Sequence, residues 1–216
     1  MNLVKDESKL STRFKILYAA KKVFIENGFS GTSMSDIAKT AEVNQSLIHH
    51  HFDTKEKLWS VVRDSLFDEY LSGIESELEA NKKDMSDIIS RIARMLSYRF
   101  EFIKNHPEVA KMMEWQSVNI GSKIKYSHFY AGEHSSARIR KIIKGAVEDI
   151  EAAQKAGIMR SDFSPIFLII TSVILTSGWF QGASRWYIEC AEKEHEELGG
   201  DYLKFVEELI ISRIKA

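Results

Sequence analysis

The stretch that decides the fold of this chain, residues 33–52, reads SMSDIAKTAEVNQSLIHHHF. Ser33 and Asp36 have the spacing of a capping box, which predicts the start of a short helix. After a tight turn, Asn44 is placed to cap a second short helix that runs to about His51. Two short helices joined by a turn of about three residues predict a helix-turn-helix. The first of them carries its apolar residues on one face: Met34, Ile37, Ala38 and Ala41.

The residues on either side predict two more amphipathic helices. Ser11 is placed to cap a helix over 12–27, and Gly28 is placed to end it. Asp53 or Thr54 is expected to cap the next helix. The apolar stripe of the earlier helix is Ile16, Leu17, Ala20, Val23 and Phe24, and that of the later one is Leu58, Val61, Val62, Leu66 and Tyr70.

The composition favours an all-α chain. Among 216 residues there are only 2 Pro and 11 Gly, with 44% hydrophobic and 28% charged residues, which is typical of a globular protein. Residues 1–60 hold nine Lys/Arg against seven Asp/Glu, a mild excess that agrees with a nucleic-acid-binding N-terminus. The single cysteine, Cys190, cannot form an internal disulfide, so we expect a cytoplasmic protein. The most apolar run, 166–180, is shorter than the roughly 20 residues of a membrane span.

The C-terminal part is predicted to consist of longer helices. We place one domain over 1–60 and a helical domain over 61–216, with a border inside or just after the fourth helix. Apolar helices at 165–187 and 201–214 are candidates for a four-helix interface between two copies of the chain; the alternative is that both are core helices of one subunit.

Several short runs resemble the TetR family of bacterial regulators in their order and spacing. They are GFSGTSMSDIA (28–38), AEVN (41–44), HHF (50–52) and KEKL (55–58), with weaker similarity in NHPEV (105–109) and AGIMRSD (156–162). The resemblance implies an all-α fold: an N-terminal three-helix helix-turn-helix DNA-binding domain and a C-terminal helical ligand-binding and dimerisation domain. It also implies a homodimeric, sequence-specific repressor released from a palindromic operator by a small, largely apolar ligand. A DNA-binding protein of the same fold that acts through a protein partner, as in nucleoid occlusion, is the alternative.

The second helix of a helix-turn-helix enters the major groove, so one of its faces must be free of the core. Val43, Ile48 and Phe52 suit the core side, which leaves the start of the helix facing outward. There Gln45 can pair with an adenine edge, Ser46 can donate or accept a hydrogen bond, and Leu47 can pack on a thymine methyl. The alternative for Leu47 is ordinary core packing.

Further DNA contacts follow from the resemblance. His49 stands where the family usually has a tyrosine that contacts a phosphate, and His51 matches a position that reaches a phosphate or a base. The other expected phosphate contacts are Thr32, Ser33 and Lys55; for each of these polar residues the alternative is capping or solvation. Glu42 replaces a glycine common in the turn of the family, and we expect strain if that position has positive φ.

The candidate ligand-binding residues in the C-terminal part are Tyr98, Met112, Trp115 and Trp179, because aromatic and sulfur-bearing side chains line apolar ligand sites. The alternative is that they are plain core.

No metal, cofactor or catalytic site is predicted. Three consecutive histidines on a helix point about 100° apart and cannot converge on one ion. Gly199 stands where a zinc-protease motif beginning at His195 requires its second histidine. The chain also lacks a Gly-rich phosphate loop and a Gly-x-Ser-x-Gly elbow, so an all-helical enzyme is disfavoured.

Overall fold

The computed structural model of the protein describes residues 12–80, 87–111 and 133–216. These residues are helical apart from short connections, which confirms the predicted all-α class. The helices are α1 (Thr12–Asn27), α2 (Met34–Ala41), α3 (Gln45–Phe52), α4 (Lys55–Ala80), α5 (Ile88–Asn105), α6 (Glu133–Lys155), α7 (Pro165–Gly178), α8 (Gly182–Cys190) and α9 (His195–Ile214). Pro107 begins a further helical stretch that continues to the end of the second described range.

The prediction of one helix over 165–187 is wrong, because the chain bends between α7 and α8. Gln181 adopts an extended conformation with φ −88° and ψ 152°. The Ser184 hydroxyl oxygen lies 2.6 Å from the Trp179 carbonyl oxygen and 2.8 Å from that of Gln181, so its single hydrogen can be donated to either carbonyl at the break. The two helix axes differ in direction by 59°. The last helix also begins earlier than the predicted residue 201, at His195.

The chain divides into two compact units. The N-terminal unit contains residues 12–67 together with 111 and 133–136; the C-terminal unit contains 68–110 and 137–216 within the described ranges. The division falls inside α4, so this helix begins in the first unit and ends in the second. The domain border that the sequence places at residue 60 stays a prediction.

The core of the N-terminal unit is formed by the apolar faces of its helices. The Phe24 ring lies edge-on to Trp59 with centroids 4.8 Å apart, and Phe29 lies 5.7 Å from Trp59. Burial lowers the pKa of Arg63 to about 10, and its guanidinium lies over the Trp59 ring. The predicted stripes supply most of the buried side chains, which include Ile16, Ala20, Val23, Phe24, Met34, Ile37, Ala38, Ala41, Ile48, Phe52, Leu58 and Val62.

The core of the C-terminal unit lies between α5, α6, α7 and α9. Its buried residues are Ile88, Leu96, Ile150, Ala153, Met159, Leu168, Val206, Ile210 and Ile214. The Asp162 carboxylate joins the loop before α7 to the end of α9, because it accepts hydrogen bonds from both Arg160 and Arg213. These two guanidinium groups hold the pKa of Asp162 well below its usual range.

Within the described residues, no single helix has both the length and the apolar composition of a membrane span. The bent pair α7 and α8 meets the criterion of length and composition only when its two helices are counted together.

Candidate nucleic-acid interface

The turn between α2 and α3 depends on a left-handed residue. Glu42 has φ 54° and ψ 43°, so the condition under which we expect strain at this position is met. Its amide lies 3.3 Å from the Lys39 carbonyl, and the next amide, of Val43, donates to Ala38 at 3.0 Å. Such a conformation disfavours residues with a Cβ. The chain therefore accepts local strain so that α3 can follow α2 after a short turn.

Helix α3 has one buried face and one free face. Ile48 is completely buried and Phe52 is nearly so, while the helix packs on α1 and α2. Gln45, Ser46 and Leu47 precede this anchor and are all exposed, Leu47 to 39%. The prediction that these three side chains face outward is confirmed, and the alternative of core packing for Leu47 is wrong.

His49 links the start of α3 to its end. Its Nδ1 lies 2.9 Å from the Asp53 carbonyl oxygen, so this nitrogen carries the proton and donates. Its Nε2 lies 3.4 Å from Nε2 of Gln45, whose amide N–H then donates to the imidazole. The Gln45 amide oxygen is left free of this contact. The pairing at i and i+4 was not foreseen from the sequence, although the spacing permits it.

The residue that ends α3 is also strained. Asp53 has φ 64° and ψ −66°, the values of a γ-turn that is rare in proteins. The Thr54 amide closes the turn by donating to the Phe52 carbonyl at 2.7 Å. Lys57 pairs with the Asp53 carboxylate at 2.6 Å and so lowers its pKa. His49 and Lys57 thus hold the same turn through its carbonyl and its carboxylate.

The predicted capping box at the start of α2 is confirmed. The Ser33 hydroxyl accepts from the Asp36 amide at 3.1 Å, and the Ser33 amide donates to the Asp36 carboxylate at 2.9 Å. The Ser33 hydroxyl also donates to the Asp36 carboxylate at 2.6 Å, and this bond, together with that of the Ser33 amide, lowers the pKa of Asp36. Ser33 is exposed, and its side chain caps α2. Asn44 likewise caps α3, since its side-chain oxygen lies 3.5 Å from the Ser46 amide.

Thr32 and Lys55 form an internal brace between the loop before α2 and the start of α4. The Thr32 side chain is buried, and its hydroxyl donates to the Gly28 carbonyl at 2.7 Å. The Lys55 ammonium donates to the carbonyls of Phe29 and Thr32 at 3.0 and 2.9 Å, and lies 4.2 Å from the Phe29 ring centroid. Both polar groups therefore have structural partners, which agrees with the capping alternative for their roles.

The remaining predicted DNA contact, His51, is partly exposed and lies edge-on to His50 at 5.3 Å. Arg13, which the sequence did not single out, contacts the buried side of α3. Its guanidinium carbon lies 5.1 Å from the Phe52 ring centroid.

Two of the four predicted ligand-binding residues, Tyr98 and Trp179, lie in the described part of the structure. Tyr98 is half-buried, and burial raises the pKa of its hydroxyl. Trp179 is buried and stacks between His195 and Tyr202, at centroid distances of 4.4 and 4.6 Å, as a packing residue would. Met112 and Trp115 lie outside the described residues.

Residues 16–61 match the family model described as bacterial regulatory proteins, tetR family. This match covers the helix-turn-helix with the geometry given above. The chain belongs to the TetR family. Its members are DNA-binding transcriptional regulators, and this protein is one of them.

Known proteins resemble the chain along nearly its whole length. The HTH-type transcriptional repressor NicS of Pseudomonas putida is 24% identical over 209 residues, which cover 94% of this chain and 92% of NicS. A tetR family regulator from Shewanella sp. PV-4 has a TM-score of 0.64 at 17% identity, covering 96% of this chain and all of that one. FadR from Bacillus subtilis, solved in complex with stearoyl-CoA, has a TM-score of 0.59 at 16% identity, covering 89% and 96% of the two chains. The two structures share the fold of this TetR-family protein.

Replacing Lys55 with Met tests the internal brace. We expect the free energy of unfolding to fall by about 1–3 kcal/mol, because two partly buried carbonyls lose their donor. Urea unfolding followed by circular dichroism measures the change. Lys57→Met is the matched control: its ion pair is exposed to solvent, so its loss should lower the stability less than the loss of Lys55 does. Similar small losses in both variants would contradict the brace.

Proposed function

We propose that this TetR-family protein is a dimeric repressor that reads an operator with the outward face of α3. The observation that carries the proposal is the contrast along one turn of helix: Gln45, Ser46 and Leu47 are exposed, while the next residue, Ile48, is completely buried. An anchored helix with a free face is what entry into a major groove requires. Gln45 then meets an adenine edge, Ser46 a hydrogen-bonding base edge and Leu47 a thymine methyl.

The contacts to phosphate are proposed at the two ends of the interface. The exposed Ser33 lies at the N-terminus of α2, where amide groups and the helix dipole favour an anion. His49 and His51 lie beyond the base-reading residues on α3. Thr32 and Lys55 act indirectly in this proposal, since their brace fixes the loop that carries Ser33.

A dimer is proposed because α7 and α9 each have two apolar faces. One face of each helix lies in the core of the C-terminal unit, through Leu168, Val206 and Ile210. The other face is exposed although it is apolar, and it carries Phe167, Ile170, Val173 and Ile174 on α7 and Phe205 and Leu209 on α9. A continuous exposed surface of this kind marks an interface. Joining α7 and α9 of two copies covers it and places two reading helices on one operator.

Control by a small ligand is proposed for the C-terminal unit. Tyr98 is its half-buried candidate contact, and stearoyl-CoA bound to FadR shows that a protein of this fold holds a ligand with a long apolar part. The ligand favours a distance between the two α3 helices of the dimer that does not match successive major grooves. The protein then releases the operator. By linkage, operator and ligand then weaken each other's binding by the same factor. Such a regulator acts on the chromosome in the cytoplasm.

Selection of duplexes from random DNA tests the reading function. We expect the full-length protein to enrich one palindromic sequence. Gln45→Ala and Leu47→Ala should each weaken binding to that duplex by about 5- to 150-fold, the equivalent of about 1–3 kcal/mol per base contact. Binding to unrelated duplexes should change little, because phosphate contacts supply most of it.

Lys144→Ala is the control for the same titrations, since its side chain on α6 is exposed and lies outside the proposed interface. Gel-shift titrations at one fixed salt concentration measure all four proteins. Absence of any enriched duplex, or unchanged affinity in both α3 variants, would refute the proposed reading.

Ile174→Glu tests the proposed dimer. Ile174 is 61% exposed in the single chain, so a charge there leaves the fold of the subunit intact while burying an unpaired carboxylate in the dimer. Sedimentation velocity at micromolar concentration should show a dimer for the wild type and for Lys144→Glu, and a monomer for Ile174→Glu. A dimer of Ile174→Glu as stable as the wild type would place the interface elsewhere.

A further inference from the structure

Arg99 on α5 lies inside the C-terminal unit and is bonded only to hydroxyl groups. Its Nη1 donates to the Tyr70 hydroxyl at 2.6 Å, and its Nη2 donates to the Ser177 hydroxyl at 2.7 Å. The guanidinium carbon lies 5.5 Å from the Tyr70 ring centroid. Both partners are neutral, so the positive charge of Arg99 is not balanced by them.

The other half-buried arginines of the same unit are paired differently. Arg91 donates to Asp149 at 2.8 Å. Arg94 lies between Asp87 and Glu77, at 2.9 and 3.7 Å. Arg138 contacts the carboxylates of Asp68 and Glu75. Among the described residues of this unit, Arg99 is thus the half-buried arginine that has no carboxylate partner.

The unused donors of Arg99 include a buried one. Its Nε is shielded from solvent and has no hydrogen-bond partner in the described part of the chain. A guanidinium group has five N–H donors in one plane, and two of them are used by Tyr70 and Ser177. Nε–H and one hydrogen on each Nη remain. Donors of this planar set match the two oxygens of a carboxylate.

Flat aromatic side chains pack against Tyr70, the ring that lies beside this cation. Tyr70 and Tyr98 are stacked with ring centroids 5.9 Å apart and planes 12° apart. Phe102 lies 5.0 Å from Tyr70. Tyr98 can lie this close to α4 because residue 73 is glycine: a Cβ there would be 1.9 Å from the Tyr98 hydroxyl oxygen. The arrangement offers apolar surface beside one unbalanced positive charge.

We propose that Arg99 binds the carboxylate of an effector whose apolar part lies against Tyr70, Tyr98 and Phe102. The inference rests on the proposed ligand control and names the chemical class of the ligand. A single cation balances a singly charged carboxylate, whereas a doubly charged phosphate would leave charge uncompensated. Ser177 is placed to donate its hydroxyl hydrogen to the same anion, since its oxygen already accepts from Arg99.

The first test compares two arginines without any ligand. An arginine whose charge is paired only by a bound ligand adds less to the stability of the free protein than an arginine paired with a carboxylate of the same chain. Thermal unfolding of the full-length protein should therefore show a smaller fall in Tm for Arg99→Met than for Arg91→Met, which leaves Asp149 unpaired. A fall in Tm at Arg99→Met as large as that at Arg91→Met would assign Arg99 to structure and overturn the proposal.

The second test uses pairs of probes that differ in charge alone: phenylacetate, hydrocinnamate and decanoate, each beside its primary amide. We expect at least one acid to raise the Tm of the wild type more than its amide does. Tryptophan fluorescence titration should show a loss of affinity for that acid of about 10- to 100-fold in Arg99→Gln. Arg99→Lys should lose less, since it keeps the charge but not the planar fork.

Arg140→Gln, which removes an exposed arginine from α6, should bind the acid as the wild type does. The proposal is overturned if acid and amide act equally, if Arg99→Gln binds the acid as tightly as the wild type, or if no acid shifts the Tm. Operator binding distinguishes a failure of this inference from a failure of the proposed function. Arg99→Gln should bind the selected duplex as the wild type does. If the wild type prefers no duplex, the proposed repressor function itself is refuted.

Discussion

The burial of Ile48 and Phe52 is the constraint on which the DNA-reading role depends. Both side chains lie in the core formed with α1 and α2, so rotation of α3 about its axis would expose them. Because helix side chains three and four positions apart share a face, fixing these two residues also fixes where the first turn points. The exposure of Gln45, Ser46 and Leu47 follows directly from that anchor. The proposed DNA contacts are thus positioned by apolar packing, while phosphate contacts make DNA affinity depend on charge.

Local strain at both ends of α3 accompanies this anchor. Glu42 and Asp53 both have positive φ, and each conformation costs free energy that the packing of the unit must offset. The hydrogen bond from His49 and the ion pair with Lys57 stabilise the turn at Asp53. The same His49 contacts the Gln45 amide. A residue expected only to meet phosphate therefore also orients the amide that is proposed to read a base.

Local patterns in the sequence predicted local structure well. Capping by Ser33 and Asn44 and the outward face at 45–47 follow from the spacing of a few neighbouring residues, while the question of positive φ at Glu42 came from the glycine that the family commonly has there. Contacts between distant segments were not predictable in this way. Lys55 was expected to meet phosphate, yet its ammonium bonds to carbonyls about 25 positions earlier in a loop whose path no local pattern specifies. The bend after Gly178 and the neutral partners of Arg99 likewise depend on tertiary packing.

Hydroxyl-radical footprinting of side chains, in the free protein and with its selected duplex, tests the central claim most directly. Binding should lower the oxidation rate of Leu47, which the free α3 exposes, and of its neighbour His49. The rates of Trp186 and Tyr187 on α8, which are exposed in the C-terminal unit, should stay unchanged. An unchanged rate at Leu47 in the DNA complex would contradict the account, since α3 would then not present this face to the double helix.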